Sequence, residues 1–321
     1  MIRLVNNIKD AKYITHNGTM HADEVFATAF LHLYKKNLDL IRVGEINSED
    51  YQDKLIYDVG RGDFDHHQEN RRLRDNNIPY CSLGLLWEEY GRAFLQENNY
   101  EYVDEIWRDV DKDFIEGIDA IDNGIFPKVE AEYKIRNLCD VIKLFNPSFN
   151  SNEEEASQFL KAVDVAEKIF QEELLNVSGK VKARKILESK IEEAKKKHYL
   201  CLDEYMPYEE SVYANDEEKE IYFVIYPSNR GGYAAKIIYN SAEDHTARVS
   251  FPREWAGLGN ELAEVSGVGE ATFCHLGLFI VCAKTKEAII NLVNIAISKS
   301  DKSGPNTDNL LTIKNIKDNI N

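Results

Sequence analysis

The amino-acid sequence predicts an α/β protein in two parts: a parallel-sheet N-terminal domain with helices on both faces, then a smaller α/β C-terminal domain. Two observations carry this expectation. Up to residue 124, short apolar runs of strand type alternate with helical patterns, which is the order of βαβ units. Beyond a charged helical stretch at 153–199, strand-type runs resume and a last helix closes the fold.

Taken in order, KYIT (12–15) reads as a short strand and ADEVFATAFLHLYKK (22–36) as an amphipathic helix with Val25, Ala29 and Leu33 inward. LIRVG (40–44) and KLIYDVG (54–60) are strand-like, each closing on glycine. RGDFDHHQENRRLRDNNIP is a polar loop whose proline precedes a helix at 80–97. Residues 102–124 read as one helix with Val103, Ile106, Val110, Phe114, Ile118 and Ile121 on a stripe, stopped by Asn123-Gly124. Residues 153–199, rich in Glu, Lys, Ala and Leu and free of proline, read as one or two long solvated helices linking the halves. Then come IYFVIY (221–226), YAAKIIY (233–239), ARVSF (247–251) and HLGLFIVCA (275–283) as strands, and a helix at 285–298. The expected organisation is a domain at 1–150, a helical connector at 151–200, a C-terminal domain at 201–299 and a loosely ordered tail at 300–321. A homodimer contact through the charged helices stays open.

Composition narrows the class. With 321 residues, 43% apolar and 30% charged, the chain is globular and long enough for two cores. No run approaches the roughly 20 apolar residues that crossing a bilayer requires. MIRLVNNIKDAKYITH carries no signal core and no transit character, so a soluble, cytoplasmic, unprocessed chain is expected. Five scattered cysteines, never spaced C-x-x-C, point to reduced thiols and against a disulfide framework or zinc knuckle. A net charge of −17 argues against wide, tight binding of nucleic acid. It leaves room for action on a strand end or a small phosphoester, because a metal ion supplies local positive charge.

Three clusters of the first half sit where strands end: His16-x4-His21-x-Asp23, then Asp58, then Asp65-His66-His67. In an open α/β sheet ligands gather at the carboxyl ends of strands, so segments far apart in sequence can converge there. Phosphoryl transfer to water needs a nucleophile at neutral pH and compensation of charge on the phosphoryl oxygens. Two divalent ions roughly 3.5–4 Å apart provide both, holding a bridging hydroxide and clamping the oxygens. Mixed His/Asp ligation suits Mn²⁺, Fe²⁺ or Zn²⁺, whereas an all-oxygen shell would suit Mg²⁺. Each residue alone has an ordinary explanation: a surface histidine, a helix-start charge at Asp23, a turn cap at Asp58. Yet five of the eight histidines fall within 16–67, and four of these stand beside acids at strand ends. That conjunction points to a metal centre.

Several longer segments carry a resemblance. THNGTMHADEVFATA, IYDVGRGDFDHHQ, PYCSLGLLWEEYG, IDAIDNGIF, FPREWAGLGNEL and SGVGEATFCHLGLFIVCAKTKEAI resemble the melanocyte-proliferating-gene family of metal-dependent hydrolases, in order, across 12–298. That family is similar in turn to the DHH phosphoesterases, which include single-strand exonucleases and cyclic-dinucleotide phosphodiesterases. The first motif departs from that superfamily's His-x3-Asp-x-Asp: histidine stands at 21, one position later than the middle aspartate. The resemblance implies His16, His21 and Asp58 on one ion and Asp23, Asp58, His66 and Asp122 on the other, with Asp119 as the substitute for Asp122. It also implies that Asp58 bridges the ions and that His67 faces the substrate phosphate. A C-terminal domain that closes over substrate is a further implication, with Arg230, Arg253 and His275 as candidates. Their ordinary readings are a turn arginine, a surface salt bridge and a satisfied strand histidine.

The implied activity is a manganese-dependent phosphodiesterase, a 3′-to-5′ exonuclease on short single-stranded RNA or DNA. A small substrate such as a cyclic dinucleotide, nucleotide or pyrophosphate is the alternative. Peptide hydrolysis has no support: there is no nucleophile elbow and no His-Glu-x-x-His helix.

Overall fold

The structure is a computed structural model that describes residues 1–300. It falls into two compact units, Met1–Val181 and a second beginning at Lys182. The first runs β1 (Ile2–Leu4), β2 (Tyr13–His16), α1 (Ala22–Lys35), β3 (Leu38–Val43), β4 (Leu55–Ile56), α2 (Ser82–Glu97), α3 (Val103–Val110), α4 (Glu116–Asp122), α5 (Leu138–Lys143) and α6 (Glu155–Glu188). The unit boundary lies inside α6.

All four strands of this unit are parallel, in the order β1-β3-β2-β4. Ile14 in β2 pairs with Ile41 on one side and Ile56 on the other, which puts His16 at the carboxyl end of a central strand. One face of the sheet carries the large core. There Phe30 meets Trp87 and Phe94 edge-on at 5.4 and 5.6 Å, and Phe170 meets Trp87 at 5.7 Å. Each such ring, fully buried, contributes roughly 1.5–3 kcal/mol by leaving water. A smaller cluster of Ala11, Ile14, Ile56 and Val59 lies apart from it, joined by Ile8 and Tyr51 of two 3-10 turns.

Three expectations for this unit are corrected, and two more fall in the second. The 54–60 strand is only Leu55–Ile56, because Asp58 adopts a left-handed backbone (φ 56°) that ends the extended run. The helix at 102–124 runs without a gap from Val103 to Asp122, but a π-helical turn over Asp111–Ile115 lies between α3 and α4. The turn absorbs one extra residue, so the buried stripe passes from Val110 to Ile115, and Asp119 joins it. The helix of 153–199 is no solvated link: Phe159, Ala162, Val163, Ala166, Phe170, Leu174, Val177 and Val181 of α6 are buried. Their spacing of three and four is an ordinary core stripe hidden by the charged residues around it.

The second unit holds α7 (Ile191–Lys197), β5 (Tyr199–Cys201), α8 (Glu209–Asn215), β6 (Phe223–Pro227), β7 (Tyr233–Ile237), α9 (Leu262–Ser266), β8 (Ala271–Cys274), β9 (Ile280–Ala283) and α10 (Lys286–Ser300). Its sheet runs β5-β6-β7-β9-β8, with β5 parallel to β6 and the other pairs antiparallel. Here the other two corrections fall. HLGLFIVCA is the turn and second strand of a hairpin, with Leu278 in a left-handed conformation (φ 57°). ARVSF is no strand: Arg248 turns inward to pair with the buried Asp216 and donates to the carbonyls of Ile221 and Tyr239. The tail expected at 300–321 lies, from 301 on, outside the described residues.

Candidate metal centre

The loop between β2 and α1 is fixed from several directions. Met20 exchanges two hydrogen bonds with the Asn146 side chain, at 2.7 and 3.0 Å. Glu155 accepts from the Gly18 amide at 2.9 Å and pairs with Arg42, which also donates to the His16 carbonyl. At the start of α1 the His21 amide donates to Glu24 at 2.9 and 3.0 Å, a carboxylate closing the first helical turn. Glu24 is absent from the ligand set expected from the sequence, although its signal is there: a glutamate three residues after a helix-start residue.

Around this frame the side chains converge. His16 Nδ1 lies 2.9 Å from the Asn17 carbonyl, which leaves Nε2 facing inward, 3.1 Å from Asp58 Oδ2 and 3.4 Å from Glu24 Oε1. His66 presents Nε2 from the other side, 3.2 Å from Asp58 Oδ1, 3.3 Å from Asp122 Oδ2 and 3.8 Å from Asp23 Oδ2. The Asp58 carboxylate therefore offers one oxygen to each histidine. Its left-handed backbone is a conformation aspartate tolerates better than most residues, and an observed strain of this kind favours a functional reading. His21 groups with His16 and Glu24, and also with Asp23 and Asp122.

Asp119 stands apart from this cluster. It accepts from Arg74 at 2.7 and 3.0 Å, from the Cys81 amide at 3.1 Å and from the Cys81 thiol. Helix α2 passes so close that a Cβ on Gly84 would meet Asp119 Oδ2 at 2.3 Å. One turn further along α4, Asp122 is the aspartate that points at His66. Asn123 follows, its Oδ1 3.3 Å from His66 Nδ1 while its amide donates to the Pro79 and Asp119 carbonyls. This contact favours the Nδ1–H tautomer of His66 and leaves Nε2 as a donor atom. In the sequence Asn123 reads only as a helix stop, and nothing in its spacing announces the partnership with His66.

His67 differs from His66. Its side chain is 59% exposed, and Asp65 Oδ1 accepts from its amide at 3.0 Å and lies 2.9 Å from its Nδ1. Arg230, Arg253 and His275 all belong to the second unit. Arg230 is exposed in the β6–β7 turn. Gly232 of that turn has a packing reason of its own, since with φ 67° its Cβ would lie 2.3 Å from the Ala283 carbonyl. Arg253 opens a 3-10 turn, and His275 accepts at Nδ1 from the Gly277 amide at 2.9 Å with its ring 4.1 Å from that of Phe279.

Whether a cation fits can be judged from atoms left unsatisfied. His16 Nε2, both oxygens of Asp23, both oxygens of Asp58 and His66 Nε2 are buried and make no hydrogen bond of acceptable geometry, although the two histidine nitrogens lie 3.1 and 3.2 Å from the Asp58 oxygens. They point at shared space, not at each other's protons. Leaving buried polar atoms so costs about 1–3 kcal/mol each. Burial, followed by repulsion from Asp58, Asp122 and Glu24, pushes Asp23 well above the carboxylate range. Burial opposes charge on His16, yet Asp58 and Glu24 push its pKa up to about 10. Four carboxylates and three imidazoles turned on one shared space suit divalent cations, and the nitrogen–oxygen mixture suits Mn²⁺, Fe²⁺ or Zn²⁺.

The family model MYG1_exonuc, described as uncharacterised protein family UPF0160, matches residues 12–297. A MYG1 protein of Dictyostelium discoideum is 25% identical over 327 residues, covering 92% of this chain and 99% of its own length. The MYG1 exonuclease of Rattus norvegicus is 26% identical, covering 89% of this chain and 84% of its own. A MYG1 protein of Chlamydia pneumoniae is 29% identical, covering 85% and 92%. No solved structure matches the chain significantly. No helix among the described residues is long and apolar enough to cross a membrane.

Proposed function

The chain belongs to the MYG1 exonuclease family, and from that premise we propose that it is a two-metal phosphodiesterase that trims short single-stranded RNA or DNA. The observation that carries this reading is the Asp58 carboxylate, buried, without a hydrogen bond and offering one oxygen to the His16 side and one to the His66 side. The names of the rat and mouse relatives supply the word exonuclease. The 3′-to-5′ direction and a preference for manganese rest on the resemblance to DHH phosphoesterases and on the donor set.

His16, His21, Glu24 and Asp58 would hold one ion, and Asp23, Asp58, His66 and Asp122 the other. When bound, the ions acidify a water and offset charge on the phosphoryl oxygens. The chain's own groups do the remainder. Asn123 keeps His66 Nε2 turned inward, and Glu24 holds the His21 amide so that α1 starts in register. His67, anchored at Nδ1 by Asp65, keeps Nε2 at the open side of the cluster, where the imidazolium form would donate to a phosphoryl oxygen. Arg230, Arg253 and His275 belong to the proposal as phosphate contacts, on the resemblance alone.

The test is hydrolysis by metal-stripped protein supplied with Mn²⁺, Mg²⁺ or Zn²⁺ and a 5′-labelled RNA of about ten nucleotides, with a dinucleotide alongside. A metal-dependent ladder that shortens from the 3′ end is expected. Cleavage of the dinucleotide alone would move the site to small substrates, and no cleavage with two bound ions would end the phosphodiesterase reading.

A further inference from the structure

Residues 124–136 follow directly on the cluster and contain neither helix nor strand, and every one of them is exposed. Among them Phe126 is 65% exposed, Val129 59% and Tyr133 76%. Apolar exposure this contiguous marks an interaction site, and a long irregular loop inside a compact domain is usually functional. Among the described residues no ion pair holds Lys128, Lys134 or Arg136, which alternate with these apolar groups.

We propose that this segment is the docking surface for the single strand whose end reaches the Asp58 cluster, bases stacking on Phe126 and Tyr133 and phosphates meeting Lys128, Lys134 and Arg136. The inference rests on the phosphodiesterase reading above. Three observations favour a nucleic-acid strand as the occupant. The first is continuity. Asp122 lies 3.3 Å from His66, Asn123 holds that ring, and the exposed run begins at the next residue. The second is charge. The exposed stretch 69–73 is tied to the same point by Arg71, which donates to Asn123 Oδ1 at 3.2 Å. Together 69–73 and 124–136 carry five cations against three carboxylates, and with Arg72 paired to Glu88 a small excess of cations still remains on a chain of net charge −17. Cations interleaved with aromatic faces are the pattern that tracks a single strand, phosphates on the charges and bases on the rings. The third weighs against a second copy of the chain: a two-fold contact lays a patch on itself, and here it would face the excess of cations with the same excess.

Binding of a phosphorothioate RNA of about ten nucleotides, followed by fluorescence anisotropy with the full chain and Mn²⁺, tests this. Phe126→Ala/Tyr133→Ala should raise Kd about tenfold or more, since each lost stack weakens binding. Lys128→Ala/Lys134→Ala/Arg136→Ala should weaken binding similarly and lower the slope of log affinity against log salt by about 2. Their side chains pack against no core, so the melting curve should stay as in the parent. Equal affinity in parent and both variants would overturn the proposal. So would retained strand affinity with loss of self-association in sedimentation, which would assign the surface to a second copy. A parent that holds the strand, loses it in the variants and never cuts a phosphodiester strand would leave the surface standing and end the hydrolytic reading.

Discussion

Two buried groups of charge share helix α4, and they are built on opposite principles. Around Asp119 hydrogen bonding is complete: Arg74 pairs with Asp119 and Asp111, and Cys81 donates to the remaining oxygen. Around Asp122, three residues on, it is not: Asp23 and Asp58 carry four buried oxygens without a hydrogen bond. A closed network holds structure, because removing one partner strands the other in a low-dielectric site. An open one is unstable by itself and is explained by what it is shaped to receive. Asp119 and Asp122 are thus the same residue type on one helix with different duties.

The contrast can be broken most forcefully at Arg74. Replacing it by Ala leaves Asp119 and Asp111 uncompensated and should cost about 3–5 kcal/mol of stability in urea melts, with or without metal. Loss under about 1 kcal/mol would show that the closed network is not structural. Metal should act on the other cluster alone. At 100 times its Kd, each Mn²⁺ bound should stabilise the stripped protein by about 2.7 kcal/mol, a rise in melting temperature that EDTA reverses. Asn123→Ala, which frees His66 to rotate, should lower metal affinity about 10–100-fold, beside the roughly 1–3 kcal/mol that losing its bonds to the Pro79 and Asp119 carbonyls takes from the metal-free melt. The smallest effect has the most telling sign. Asp23→Asn removes one of several mutually repelling carboxylates, so it should stabilise the metal-free protein by about 1 kcal/mol, where Asp119→Asn destabilises it. Destabilisation by both would erase the distinction.

Much of this is legible in the amino-acid sequence. His16 ends a strand, His21 and Asp23 open a helix, and Asp58 and His66 lie in the loop that leaves β4; strand ends of a parallel sheet meet, so their convergence follows from topology. Asp119 and Asp122 cannot be separated that way, because positions three apart share a helix face. What separates them is Arg74, reaching in from a polar loop whose course no periodicity encodes. Glu24 is masked by Asp23, since adjacent acids at a helix start look like a response to the dipole. The π-helical turn is illegible for a related reason: Phe114 and Ile115 are both apolar, so either continues a stripe. In α6 the stripe is legible, and dense Glu and Lys draw attention to solvent instead. The second unit follows its pattern least well at 247–251, where pairing stops at a single bridge between Tyr239 and Ala247 and the Arg248 side chain turns inward to Asp216.

The central claim is that the Asp58 cluster is a two-ion site, and calorimetric titration of the metal-stripped chain with Mn²⁺ tests it most directly, beside Asp58→Asn. The account predicts two ions per chain in the parent and loss of at least one in the variant, with the fold kept. No saturable binding in the parent, or the same two ions in Asp58→Asn, would contradict it.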